Sequence, residues 1–181
     1  GSLSPDGGAA IVLHHDGDAW RRLSVTAPTL WWVFGFSEQD VWSVGERGTI
    51  LHYDGVDWST LDTGASYTLW GVWGADPLDV WAVGGDADRG AGGVIRHWDG
   101  AAWEDVTGVD MQGQQFFKVW GTAADDVYVV GARGTILRFD GTRWREMETP
   151  ANDRLITVVG RERGDVWAVG GLGTAILPYM L

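Results

Sequence analysis

Cysteine is absent from all 181 residues, which excludes disulfides, thiolate metal sites and cysteine nucleophiles. No apolar run approaches the ~20 residues that a membrane-spanning helix needs. Positive charge is scarce: 13 Lys and Arg stand against 25 Asp and Glu, for a net charge of −12. Such a protein has no basic face to neutralise phosphates, so no nucleic acid is expected as a partner. No membrane partner is expected either, since an anionic surface would repel it. Solubility is the simplest use of the charge. Sustained helical periodicity is missing too, as are a phosphate-binding loop and a dinucleotide fingerprint. No Ser-His-Asp set can be assembled without assuming proximity. Gly1-Ser2 reads as the scar of a cleaved tag and no signal peptide is visible, so localisation stays unknown.

What is abundant is glycine, at 28, and tryptophan, at 13. Glycine marks frequent tight turns, and tryptophan brings large buried area per residue. Both sit in a repeat. Asp-Gly-x-x-Trp occurs at Asp16, Asp54, Asp99 and Asp140. Asp-Val-aromatic-x-Val-Gly runs from Asp40, Asp79, Asp126 and Asp165. An apolar run ending in glycine spans Leu30 to Gly35, Leu69 to Gly74, Phe116 to Gly121 and Leu155 to Gly160. Each unit of about 40 residues reads as four short strands. The Asp-Gly pair supplies the hairpin turn between the third and fourth, and the glycines ending the second strand (Gly45, Gly84, Gly131, Gly170) are read as turn residues of the same kind.

Repeated four-stranded antiparallel units without helices predict an all-β fold, a β-propeller. One domain over 1–181 is expected. Complete blades fall at 29–67, 68–114 and 115–153. Residues 1–28 supply third and fourth strands. Residues 154–181 supply first and second strands plus a further third strand, Thr174 to Tyr179. Joining the ends gives about four blades with a composite closing blade. Because a third strand occurs at both ends, five strands in that blade, five blades, or an oligomeric ring through an edge strand are the alternatives.

The Asp-Gly-x-x-Trp hairpin resembles the turn of the bacterial-neuraminidase (Asp-box) repeat, and the units resemble kelch-type and WD-repeat blades in length. The serine usual two positions before the aspartate is replaced by His14, His52, His97 and Arg138. The resemblance implies architecture and not activity.

Repeat-locked residues are most simply structural. The tryptophan columns (Trp20, Trp58, Trp103, Trp144 and Trp42, Trp81, Tyr128, Trp167) are expected to pack between blades. The turn aspartates are expected to accept local backbone hydrogen bonds. His14, His52 and His97 lie a blade apart and cannot converge on one metal.

Departures from the repeat carry the functional candidates. The unit 68–114 has longer connections after its second and fourth strands, placing Asp86, Asp88, Arg89, Asp110 and Gln112 on one enlarged rim, where rigid scaffolds carry binding groups. Asp86-x-Asp88-x-Gly90 resembles the start of a calcium loop, without the later glutamate; calcium, on Asp86 and Asp88, is the one cofactor the sequence suggests. In the first strand, the third position varies (Trp32, Gly71, Lys118, Thr157) and is expected to face the central channel. Trp32 and Trp98 are candidate sugar-stacking platforms.

These observations point to a non-enzymatic, carbohydrate-binding, lectin-like module with no catalytic residue. The alternatives are a protein-interaction or self-assembling scaffold and a glycoside hydrolase, which needs paired carboxylates about 5–10 Å apart. Asp86, Asp88 and Asp110 are the carboxylates available for that pairing.

Overall fold

The four Asp-Gly turns build the hairpins on which the sheets are assembled. In each, the aspartate carboxylate accepts two backbone N–H bonds from just beyond the glycine; Asp54 Oδ1 receives Val56 and Asp57, both at 2.9 Å. Glycine takes the positive φ that follows, +95° at Gly55.

The computed structural model describes residues 10–61, 63, 65–86, 91–111 and 113–171. A hairpin, β1 (Val12–His15) and β2 (Trp20–Leu23), comes first. Three four-stranded antiparallel sheets follow. The first holds β3 (Leu30–Ser37), β4 (Asp40–Gly45), β5 (Ile50–Tyr53) and β6 (Trp58–Leu61). The second holds β7 (Thr68–Asp76), β8 (Asp79–Asp86), β9 (Ala91–Trp98) and β10 (Trp103–Asp105). The third holds β11 (Phe116–Ala123), β12 (Asp126–Gly131), β13 (Ile136–Phe139) and β14 (Trp144–Glu146). A second two-stranded sheet, β15 (Leu155–Glu162) and β16 (Asp165–Gly170), ends the described residues.

Each sheet lays one face on the next. Trp42 and Val44 pack against Leu69, Val72 and Val80 of the following sheet. Trp81 and Val83 pack against Phe116, Val119 and Val127. Tyr128 and Val130 pack against Leu155 and Val158. Burial of one such residue is worth about 1.5–3 kcal/mol. Between successive sheets the contacts run through the first strands, β3 on β7, β7 on β11 and β11 on β15. Those strands form the inner edge of an arc, with β6, β10 and β14 outermost.

Gly45 proves to be more than a turn residue. Its backbone is extended, with φ at −165°. Glycine is required because a Cβ there would fall on the Thr29 carbonyl oxygen.

The expected composite blade is not formed among the described residues: β1–β2 and β15–β16 remain separate sheets. Residues 174–179, the further third strand, lie outside the described residues.

Candidate functional site

All four first strands carry an irregularity at the same place. Register shifts fall between Leu30 and Trp32, Leu69 and Gly71, Phe116 and Lys118, and Leu155 and Thr157. Trp31, Trp70, Phe117 and Ile156 are thus the extra residue of a β-bulge, a device that re-aims a side group. The aromatic ones meet from strand to strand, with ring centroids 4.8 Å apart for Trp31 and Trp70 and 6.3 Å for Trp70 and Phe117. The inner edge is therefore lined by an aromatic ladder, exposed at Trp31 and half-buried at Trp70 and Phe117.

Beside it runs the variable column. Gly71 has no side chain, and its backbone approaches β11 closely; a Cβ there would lie 3.1–3.2 Å from Phe117 O, Lys118 Cα and Val119 N. Through that gap Lys118 reaches past β7 to Trp32 on β3, its Nζ 3.1 Å from the ring centroid. Lys118 is the only lysine in the sequence. It is 9% exposed, and burial pushes its ammonium down to about 8. Burial acts alone, with no carboxylate contributing among the described residues. A desolvated cation held, among the described residues, by an aromatic face alone is poised for an anionic group, because a charge-assisted bond would replace the water it has lost.

The sequence-derived candidates are scattered. Trp32 sits in this column, 40% exposed and beneath the ammonium. Trp98 is half-buried in the packing between sheets, with centroids 5.7 Å from Trp42 and 6.1 Å from Trp103. Asp86 ends β8, paired with Ala91 and half-buried. Asp110 is exposed, in a segment that runs along β9, where Gly93 N donates to Met111 O at 2.9 Å. That bond sets the segment after β10 beside the start of β9. Asp88, Arg89 and Gln112 lie outside the described residues. No group of three or more metal-ligating residues occurs among the described residues.

The histidine column has a structural task. His52 Nε2 lies 2.9 Å from Asp40 Oδ1, and its ring stacks on Trp42 at 4.0 Å. His97 repeats this with Asp79 at 2.6 Å and Trp81 at 4.0 Å. In the third sheet Arg138 Nε donates to Asp126 Oδ1 at 2.8 Å and lies over Tyr128. Each tether clamps the third strand to the second and covers the aromatic ring. Burial raises the Asp126 carboxyl, but the bonds from Thr122 and Arg138 outweigh it and hold the group below its usual range.

Sequence reasoning singled out the column of Lys118 but not the lysine itself, and it missed the bulges. Its one usable signal was a lone lysine in a column otherwise filled by Trp, Gly and Thr.

No protein-family model matches the protein. A 61-residue stretch is 38% identical to the immune protein Tsi7 of Pseudomonas aeruginosa, spanning 34% of this sequence and 20% of that protein. A solved structure of YCF48 bound to D1 peptide is similar over 77% of this protein and 46% of that one, with a TM-score of 0.58 and 17% identity. The protein thus spans a fifth of the curated relative and under half of the structural one. With its four-stranded antiparallel sheets, this likeness establishes the fold as a β-propeller.

Proposed function

We propose that this is a protein-binding propeller module, without catalytic activity, that holds a segment of its partner along the inner aromatic ladder with a partner carboxylate on Lys118. The carrying observation is the lone buried ammonium, 3.1 Å from the centroid of Trp32 and unshifted by any carboxylate. A hydrogen bond to a charged group contributes about 1.5–3 kcal/mol, and aromatic surface beside it would take apolar residues. The net charge of −12 adds a second selection: at long range it favours a partner of net positive charge. The favoured ligand is therefore an apolar or basic segment bearing one well-placed carboxylate, such as the terminal carboxylate of a polypeptide. YCF48, the structural relative, was solved with a peptide, which supports a peptide ligand here.

The carbohydrate reading is the weaker one. Its two platforms are engaged, Trp98 in packing between sheets and Trp32 under the ammonium. A peptide array and a glycan array probed with the wild type and Lys118→Met separate the two. Enrichment of carboxylate-bearing apolar peptides, lost in the variant, is expected. Glycan binding without peptide binding would overturn the proposal and restore the lectin reading.

A further inference from the structure

The two ends of the arc carry the two halves of one interface. Val33 is 62% exposed, whereas its repeat equivalents Val72, Val119 and Val158 are at 0, 0 and 1%. At the other end Trp167 is 69% exposed, against 4, 4 and 6% for Trp42, Trp81 and Tyr128. Val169 is 56% exposed where Val44, Val83 and Val130 are at 0%. These are core residues of the repeat left in water, and among the described residues β1 and β16 each present an unpaired edge. Such edges favour strand addition.

The edges also match chemically. In the complete sheets the second strand pairs with the third so that Trp42 faces His52 and Trp81 faces His97, with Asp40 and Asp79 bonding those histidines. On β16, Asp165 and Trp167 occupy the aspartate and aromatic positions, and Trp167 Nε1 donates to Asp165 at 3.2 Å. On β1, His14 occupies the histidine position and is exposed. Within one molecule they do not meet, because their sheets are separate.

We infer that a second copy of the protein supplies the missing partner. The β15–β16 pair of one copy joins β1–β2 of the other into a four-stranded blade, in the register Trp167 to His14 and Val169 to Val12. The arrangement is reciprocal, so two copies close a ring and leave no edge. Three complete sheets per copy with two shared blades make eight blades, the upper end of the usual range. Val159, Trp167 and Val169 of one copy then cover Val33, Tyr53 and Trp58 of the next, repeating the packing of Trp42 on Trp98 and Trp103.

The test is the mass of the 181-residue protein in solution, by sedimentation. A particle of twice the 19.7 kDa monomer mass is expected. Trp167→Arg and His14→Glu should each raise its dissociation constant about a hundredfold or more, with unchanged circular dichroism, because both residues are exposed in the single copy. Since the sequence has no cysteine, a Val12→Cys/Val169→Cys variant reports the register. Oxidation should yield a covalent dimer, and the off-register pair Val12→Cys/Ala168→Cys should not. A monomer at 100 µM would overturn the inference. So would a 12–169 disulfide within one molecule, which places the composite blade in a single copy. So would absence of that crosslink in a dimer, which puts another segment, 174–179 included, on the β16 edge.

Discussion

Replacing Lys118 by methionine should make the protein more stable and less able to bind. The ammonium is lowered from 10.5 to about 8 by burial, a shift equivalent to about 3 kcal/mol in favour of the neutral form. Stacking on Trp32 returns about 0.5–2 kcal/mol, so Lys118→Met should gain about 1–3 kcal/mol at pH 7. The sign of the pH dependence follows. Between pH 8 and 10.5 the unfolded state binds a proton that the folded state has released, so wild-type stability rises with pH across that window. By pH 9.5 the gain is about 2 kcal/mol, and the advantage of the variant shrinks accordingly. Guanidinium unfolding followed by far-ultraviolet circular dichroism at pH 7 and 9.5 measures both. A variant less stable than the wild type at pH 7 by more than 1 kcal/mol, together with a wild type indifferent to pH, would refute the reasoning.

Three further outcomes are expected. Gly71→Ala should cost about 2–3 kcal/mol, because the new methyl meets β11 backbone atoms at 3.1–3.2 Å and overpacking strains the strands; thermal unfolding reads this. His97→Ala should cost about 1–2 kcal/mol through the lost Asp79 bond and the uncovered Trp81 ring, while His14→Ala should leave the stability of a single copy unchanged, as denaturation of dilute protein would show. Affinity for a carboxylate-bearing peptide should be level below pH 8 and fall towards tenfold per pH unit above it, as Lys118 loses its proton; calorimetry at pH 7, 8.5 and 9.5 tests this, and flat affinity would remove Lys118 from the site.

What could be read from the sequence was what local chemistry specifies. The Asp-Gly hairpins need only adjacent residues, and their aspartates do accept the expected backbone bonds. The tryptophan columns were legible because repetition marks them as core: Trp42, Trp81 and Trp144 are buried, whereas Trp20 and Trp167, on the two-stranded sheets, are each 69% exposed. Features that depend on register were not legible. The bulges at Trp31, Trp70 and Phe117 hide inside continuous apolar runs, because an extra residue changes no hydrophobicity pattern. Gly45 was expected as a turn glycine, yet its reason is a carbonyl from outside the turn. The histidines read as a column too dispersed to hold one metal; pairing of strands, not spacing, sets His52 on Trp42 and His97 on Trp81. Lys118 and Trp32 are 86 positions apart in the sequence, and only the missing side group of Gly71 lets them touch. The rim of the unit 68–114 drew attention by its length; Asp86 belongs to β8 itself, paired with Ala91, and Asp110 lies on the exposed segment after β10.

The most direct test of the central claim uses the single lysine as its own probe. Reductive ¹³C-methylation labels Lys118 and the terminal amine, and Lys118→Arg assigns the two signals. The Lys118 methyl signal is expected to titrate near pH 8 in the free protein and at higher pH with a carboxylate-bearing peptide bound. Titration near the ordinary value of 10.5, unmoved by any such peptide, would contradict a binding role for the buried ammonium.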